Sequence, residues 1–281
     1  MTEHNTIQRI LPHVFLILAI VILLFPIWIV FVASTRTSAD ILSAPMPLTP
    51  GTHLVENYTR AVMEGNQNLG TSAFTMMKNS LIMALGISIG KIVVSLLAAF
   101  AIVFFHFRLR NFCFWAIFVT LMLPVEVRIM PTYKIVSDLG LLDSYAGLIL
   151  PMIVSATAVF LFRQFFMQIP REIAEASQID GASPMQFFAR VLLPMTRTPI
   201  AAMFVIQFIY GWNQYLWPLL ITTKQEYYTL LIGINRMLSG ADVQIEWQIV
   251  MATTLLAMIP PALVVVVMQK QFIAGMTDTE K

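Results

Sequence analysis

Residues 86–90 read GISIG, the Gly-x-Ser-x-Gly spacing that in serine hydrolases sets a nucleophile on a strand-to-helix elbow. Here it lies inside one apolar run with no histidine nearby in sequence, so the serine has neither the elbow nor a base. Extended to GISIGKI, the segment imitates a phosphate-binding loop. Its glycine spacing is one residue short, however, and Ile92 follows Lys91 where a Ser or Thr hydroxyl is needed. His4, His13, His53 and His106 are scattered without paired ligand spacing, and a lone cysteine, Cys113, excludes an internal disulfide and any multi-cysteine metal site. No metal is expected, and no cofactor bound by this chain.

The elements that carry these residues follow from composition. Hydrophobic residues make up 58% of the chain and charged residues 11%, against about 25% charged in an ordinary soluble domain. Apolar runs near 11–33, 79–105, 111–130, 145–166, 199–221 and 248–268 each reach the roughly 20 residues that a helix needs to cross a bilayer. Lipid offers the backbone no hydrogen-bond partner, and the alternation of a barrel is absent, so the runs are predicted to be helices. The expectation is an all-α polytopic membrane protein of six transmembrane helices, a single membrane domain over 1–281. The net charge of +2, without blocks of like charge, gives no reason to expect nucleic acid.

With six spans both termini share a side with the loops near 106–110 and 167–198. Arg9, Arg108, Arg110, Arg163, Arg171, Arg190, Arg197, Lys270 and Lys281 lie on that side. The opposite side spreads Arg36, Arg60, Lys78, Arg128, Lys134, Lys224 and Arg236 over longer loops, so the positive-inside rule favours cytoplasmic termini. The outer segment 34–74 carries SAPMPLTPGTHL, whose prolines and glycine predict an irregular cap.

Polar residues inside the apolar runs are costly and so are candidates for function. Lys91 lies about twelve residues, roughly 18 Å, into the second run. It could attract a phosphate in transit or pair with a carboxylate of a partner subunit. Glu126 and Arg128 sit between Pro124 and Pro131, where they are either pathway residues or interfacial charges with water in reach. Asn213 and Gln214, amid Tyr210, Trp212, Tyr215 and Trp217, suit a sugar-like ligand's hydrogen bonds and flat faces, or equally an aromatic belt. Gly86 and Gly90, four apart on one helix face, would let a neighbouring helix approach closely.

The longest inner segment, 167–198, contains EIAEASQIDGASPMQFFARVLLP at 172–194. Pro170 suits a helix start, with Glu172 in its acidic-favoured first turn. Gly181 stops the helix, and Ser183, Pro184 and Gln186 supply an N-cap, a first-turn proline and a capping-box partner for a second one. The face offered, with Ala174, Ala176, Ser177 and Ala182 beside Glu172, Glu175 and Asp180, is small and acidic. It lacks the basic residues of a helix resting on anionic lipid, so it suits a protein socket better.

EASQIDGASPMQFFARVLLP resembles the signature cytoplasmic loop of ABC importer permeases, Glu-Ala-Ala, three residues, Gly, nine residues, Ile-x-Leu-Pro. Here these are Glu175, Ala176, Ser177, then Gly181, then Val191, Leu193 and Pro194, with Ser177 and Val191 as conservative departures. TLMLPVEVRIMPTY, GLLDSYAGLILP, FLFRQFFMQIP and FIYGWNQYLWPLL extend the likeness along nearly the whole chain to the sugar and polyol branch, most similar to permeases for sn-glycerol 3-phosphate. The resemblance implies a pore-forming subunit in a bacterial inner membrane. Its partners would be a second permease, two cytoplasmic ATPase subunits that bind ATP and Mg, and an extracytoplasmic binding protein. The coupling loop, Glu172, Glu175–Ser177, Asp180, Gly181, Leu193 and Pro194, would enter a cleft of an ATPase subunit. The cargo implied is sn-glycerol 3-phosphate or a related glycerophosphodiester, with a neutral sugar or oligosaccharide as the alternative. A secondary transporter would more typically show repeated interrupted helices with intramembrane carboxylates, and Glu126 is the one candidate inside a run.

Overall fold

The computed structural model describes residues 6–65, 69–120, 123–239 and 244–277, and among them all regular structure is helical. In chain order the helices are α1 Thr6–Ser34, α2 Ser38–Leu42, α3 Leu54–Thr59, α4 Ala73–Phe104, α5 Arg110–Val119, α6 Val125–Asp138, α7 Tyr145–Ile149 and α8 Ala156–Met167. There follow α9 Arg171–Ile179, α10 Pro184–Phe187, α11 Leu193–Met195, α12 Arg197–Trp212, α13 Leu216–Ile221, α14 Leu230–Leu238 and α15 Trp247–Thr277.

The runs expected to span do not all become single helices. Segments within α1, α4 and α15 are each long and apolar enough to cross a membrane, and two bent pairs raise the number to as many as five. These are α7 and its following turn with α8, bent by 48°, and residues 184–195 with α12, bent by 76°. The run 111–130 divides into the ten-residue α5 and the start of α6, so the count of six is not reached by helix length alone. The interruption is at Pro124, which caps α6 from an extended conformation, whereas Pro131 lies inside α6. A proline inside a helix removes one hydrogen bond, but it also pushes the residue before it out of helical geometry, and here the break falls at the first proline.

The chain forms two compact units, residues 1–75 with 233–258 and residues 76–232 with 259–281. In the first, α1 exposes nearly every side chain from Leu11 to Phe25, as a helix facing lipid does. The segment after it is less irregular than its prolines suggest. Thr37 and Asp40 form a capping box that starts α2, and α3 continues into a wider π turn at Arg60–Glu64. The buried Asn57 amide donates to the carbonyls of Ser34 and Arg36, both at 2.9 Å, tying α3 back to the end of α1. Arg60 pairs with Glu246 at 2.6 Å, and Ser38 hydrogen-bonds Gln248, which together hold this segment to the start of α15.

In the second unit, an aromatic and aliphatic core gathers α4, α8, α10 and α12 around Phe100, Phe162, Phe166, Phe187, Phe188 and Met203. A second cluster packs α4, α6, α7 and α13 around Met83, Ile87, Leu148 and Trp217. Where these helices end, Asn79 is fully buried and saturated. Its amide donates to the carbonyls of Glu226 at 2.8 Å and Tyr228 at 2.9 Å, and its own carbonyl accepts from the Tyr145 hydroxyl at 2.7 Å.

Asp143 closes the same end. Its carboxylate accepts from the Thr223 N–H and hydroxyl, both at 2.6 Å, and from the Lys224 N–H at 2.9 Å, while its own N–H donates to Ile221. Burial is the largest single influence and raises the carboxyl's pKa. The bonds from Thr223 and Lys224, with the Lys224 charge, together outweigh it and hold the group below its ordinary value. A depressed folded-state pKa gives a stability contribution that is complete above the unfolded carboxylate value, about 4, and lost as pH falls through the folded one. Asp143→Asn is therefore expected to lessen the loss of thermal stability as pH falls below about 4. Identical pH profiles for the variant and the parent would exclude this clasp as its source.

Candidate functional site

α9 runs from Pro170, which caps it in an extended conformation, to Asp180, and Gly181 follows with φ +78°. The Gly181 N–H donates to the Gln178 carbonyl and the Ala182 N–H to the Ser177 carbonyl, both at 3.0 Å, which is the complete Schellman closure of a helix C-terminus. Two residues later Ser183 starts α10. Its hydroxyl accepts from the Gln186 N–H at 3.3 Å, and its N–H donates to the Gln186 side chain at 2.8 Å. Both backbone ends of the turn are thus satisfied locally, so residues 171–187 form a stiff helix–turn–helix hairpin.

The two faces of α9 differ. Ile173 and Ala174 pack on the core around Phe187 and Phe188. Glu172, Glu175, Ala176, Ile179 and Asp180, at helical spacing, face outward, with Ile179 86% exposed. Ser177 is half-buried, at the edge of a shallow groove of about 420 Å³ that it shares with Asp180, Gln186 and Arg190.

The hairpin is anchored by rings. Phe188 lies 4.9 Å and Phe187 6.5 Å from Phe100 of α4 (centroid to centroid), Phe187 lies 5.3 Å from Phe104, and Phe104 lies 6.0 Å from Phe166 of α8. A π turn, Phe188–Leu192, then carries the chain towards Pro194, and the buried Thr196, whose N–H and hydroxyl both bond the Leu192 carbonyl, begins α12. Leu193 is half-buried and Pro194 exposed. The spacing of Phe100 with Phe104 and of Phe162 with Phe166 marked one face of each helix, but not that the two faces meet.

The intramembrane candidates do not form one site. Lys91, 6% exposed, donates from Nζ to Gln207 Oε1 at 3.1 Å and sits 3.5 Å from the centroid of the Tyr210 ring. Its partners are therefore an amide and an aromatic face on α12 of the same chain. Arg128 is exposed, and its charge acts on Lys91 by repulsion. The backbone of Glu126 lies in α6, and its side chain falls outside the described residues. Asn213 is exposed and ends α12. Gln214 half-buries its amide and donates to the Tyr210 carbonyl at 3.2 Å, so these two residues mark a break between α12 and α13. Sequence reasoning missed Gln207, whose spacing from Tyr210 on one turn of α12 was the available signal.

Removing the Lys91 ammonium would leave Gln207 Oε1 buried without its donor, a cost of about 1 kcal/mol or more. Lys91→Met is expected to lower the melting temperature of the purified complex, and Lys91→Met combined with Gln207→Leu to recover most of the loss. An additive double variant would show that the two side chains do not act as a pair.

Gly86 admits a side chain from the end of α7, and Gly90 one from the segment after it. A Cβ at Gly86 would stand 2.6 Å from Ile149 Cδ1, and one at Gly90 2.5 Å from Ile153 Cγ2. The close approach of two backbones is elsewhere. A Cβ at Gly211 of α12 would stand 2.9 Å from the Ala84 Cα of α4.

Residues 91–278 match the family described as binding-protein-dependent transport system inner membrane component. Over its full length the chain is 54% identical to the sn-glycerol-3-phosphate transport system permease protein UgpE of Agrobacterium fabrum, with 100% of both proteins covered. The proteins of that name from Brucella melitensis biotype 1 and Escherichia coli O1:K1 are 53% and 52% identical, again over 100% of each. A chain in the crystal structure of a bacterial ABC transporter involved in the import of the acidic polysaccharide alginate superposes with a TM-score of 0.82. It is 21% identical, with 97% of this chain and 99% of that one covered, and it supports the fold. A helical chain with long apolar spans, a rigid polar hairpin between two of its helices and this full-length kinship belongs to the inner membrane components of binding-protein-dependent transport systems, the permeases of ABC importers.

Proposed function

We propose that this chain is one of two pore-forming subunits of an ATP-driven importer for sn-glycerol 3-phosphate or related glycerophosphodiesters. The observation that carries the substrate is identity of 52–54% over the whole chain to permeases named for that transport. In this reading the chain binds no cofactor of its own. Two ATPase subunits hold and hydrolyse ATP with Mg on the cytoplasmic side, a second permease completes the pore, and a binding protein delivers cargo from outside. Both termini and the hairpin 171–187 face the cytoplasm.

The hairpin is the coupling device. Its outward residues, Glu172, Glu175, Ala176, Ile179 and Asp180, engage the ATPase, with Ser177 and Gly181 shaping the turn. Its inward rings, Phe187 and Phe188, pass the displacement to α4 and α8. A lever of this kind works only if it is stiff, and the Schellman closure and the capping box supply that stiffness. Leu193 and Pro194 fix the return to α12. Lys91, Arg128, Asn213 and Gln214, with Glu126, remain candidates for the substrate pathway, where Lys91 would act on an anion only after its contacts with Gln207 and Tyr210 reorganise.

The test is uptake by the assembled complex in vesicles. Labelled sn-glycerol 3-phosphate should accumulate only with this subunit, the binding protein and ATP. Competition by a neutral oligosaccharide, with none by sn-glycerol 3-phosphate, would overturn the substrate while leaving the importer class. In a Cys113→Ser background, an impermeant reagent should label a cysteine at position 60 from outside and spare one at position 185, and the reverse pattern would invert the topology.

A further inference from the structure

We propose that the seam between α5 and α8, where the Arg163 guanidinium stacks on Phe114, binds the headgroup phosphate of an anionic membrane phospholipid. Arg163 lies four residues before the end of α8, and Phe114 four residues after the start of α5. At 1.5 Å per residue, each is about 6 Å from its helix end. Both belong to the same end of this unit, at the depth where a long cationic side chain meets lipid headgroups.

The guanidinium carbon is 4.0 Å from the centroid of the Phe114 ring. Stacking occupies one face of the cation, and its N–H donors lie in the plane of the group. Nε is buried with no hydrogen-bond partner, and the ion pairs formed among the described residues do not include Arg163. Arg163 is half-buried, held in place by an aromatic ring and outside the ion pairs of the described residues; its enclosed Nε is out of a headgroup's reach, so an oxyanion would be met by the remaining N–H donors of the guanidinium.

The surroundings select a lipid as the source of that oxyanion. Arg108 is exposed and Arg110 half-exposed at the start of α5, adding two cations at the same level. Phe112 is 70% and Trp115 58% exposed on α5, an apolar flank that acyl chains would cover and a free phosphate ion would not use. Basic pockets between membrane helices are a recurrent solution for anionic headgroups, and each Lys or Arg near the surface contributes roughly a fivefold gain in binding.

The assembled importer, purified in mild detergent, would be exchanged into nanodiscs of phosphatidylcholine with a minor fraction of phosphatidylglycerol, and the bound lipid counted by native mass spectrometry. The parent complex should retain phosphatidylglycerol selectively. Arg163→Met should reduce this by about fivefold or more, and Arg163→Lys, which keeps the charge and loses the stack, by less. If Arg163→Met fails to assemble, the Arg108→Gln, Arg110→Gln pair decides, because those side chains are at the surface and should still reduce retention by roughly fivefold per cation. Equal retention in all variants overturns the proposal. So does displacement of the lipid by millimolar inorganic phosphate, which would make this a simple ion site, and so does cross-linking that places the second permease over Phe112 and Trp115.

Discussion

Gly181→Asp is expected to leave the permease folded in the membrane while reducing retention of the ATPase subunit on purification about tenfold or more, equivalent to roughly 1.4 kcal/mol of association. Gly181 has φ +78°, and a Cβ built there meets nothing within 4 Å. The fold therefore loses only the cost of a left-handed backbone, about 1 kcal/mol, and Asp is among the residues that tolerate it best. Any large effect must come from outside the chain, where a close-fitting socket meets the turn. Gly181→Asn separates bulk from charge, since it has nearly the same size and no charge. Glu175→Lys tests the outward face, because Glu175 is exposed and its reversal should not disturb the chain's own packing. If Glu175 meets a cation of the ATPase in a desolvated pair, losing it costs several kcal/mol. Thr198, beyond the hairpin, serves as the control. Near-normal ATPase retention and substrate-stimulated hydrolysis for both Gly181→Asp and Glu175→Lys would remove the hairpin from the coupling mechanism.

The opposite behaviour is expected at Gly211. A side chain there would press into the backbone of α4, 2.9 Å from the Ala84 Cα and 3.3 Å from its carbonyl oxygen. Neither atom can move without displacing the helix, so Gly211→Leu should destabilise the complex by about 3 kcal/mol or more. It should also reduce the amount of assembled importer before any effect on transport is measured. The displacement would reach Lys91 and Gln207, which bridge the same two helices. Gly86→Ala is the matched comparison. Its obstacles are side-chain atoms, Ile149 Cδ1 at 2.6 Å with Cγ1 and Cγ2 at 3.0 Å, which can shift without moving a backbone, so a smaller cost of about 1–3 kcal/mol is expected. Equal melting temperatures for Gly211→Leu and Gly86→Ala complexes would show that α4 and α12 separate more easily than their spacing suggests.

The sequence by itself determined what rests on short-range rules. Apolar runs require helices because lipid leaves the backbone no other partner, and this made the chain legible as an all-α membrane protein. The hairpin was legible residue by residue. Gly181 at the helix end and Ser183 with Gln186 at the next start act through bonds to residues at most five positions away. The family likeness was carried by those same residues. Helix continuity was less legible, since α6 begins after Pro124 and runs through Pro131.

Only the tertiary structure decided which residues meet. Lys91 meets Gln207, 116 positions away in the same chain. The tight crossing is at Gly211 with Ala84, while Gly86 and Gly90 receive isoleucine side chains. The rings of Phe100, Phe104, Phe166, Phe187 and Phe188 fasten the hairpin to α4 and connect it with α8. In a soluble helix the polar face points to water and so betrays the buried one. In a membrane helix, the faces towards lipid and towards protein are both apolar, so periodicity does not tell them apart, and contacts are chosen by shape and by the few polar groups that must find each other.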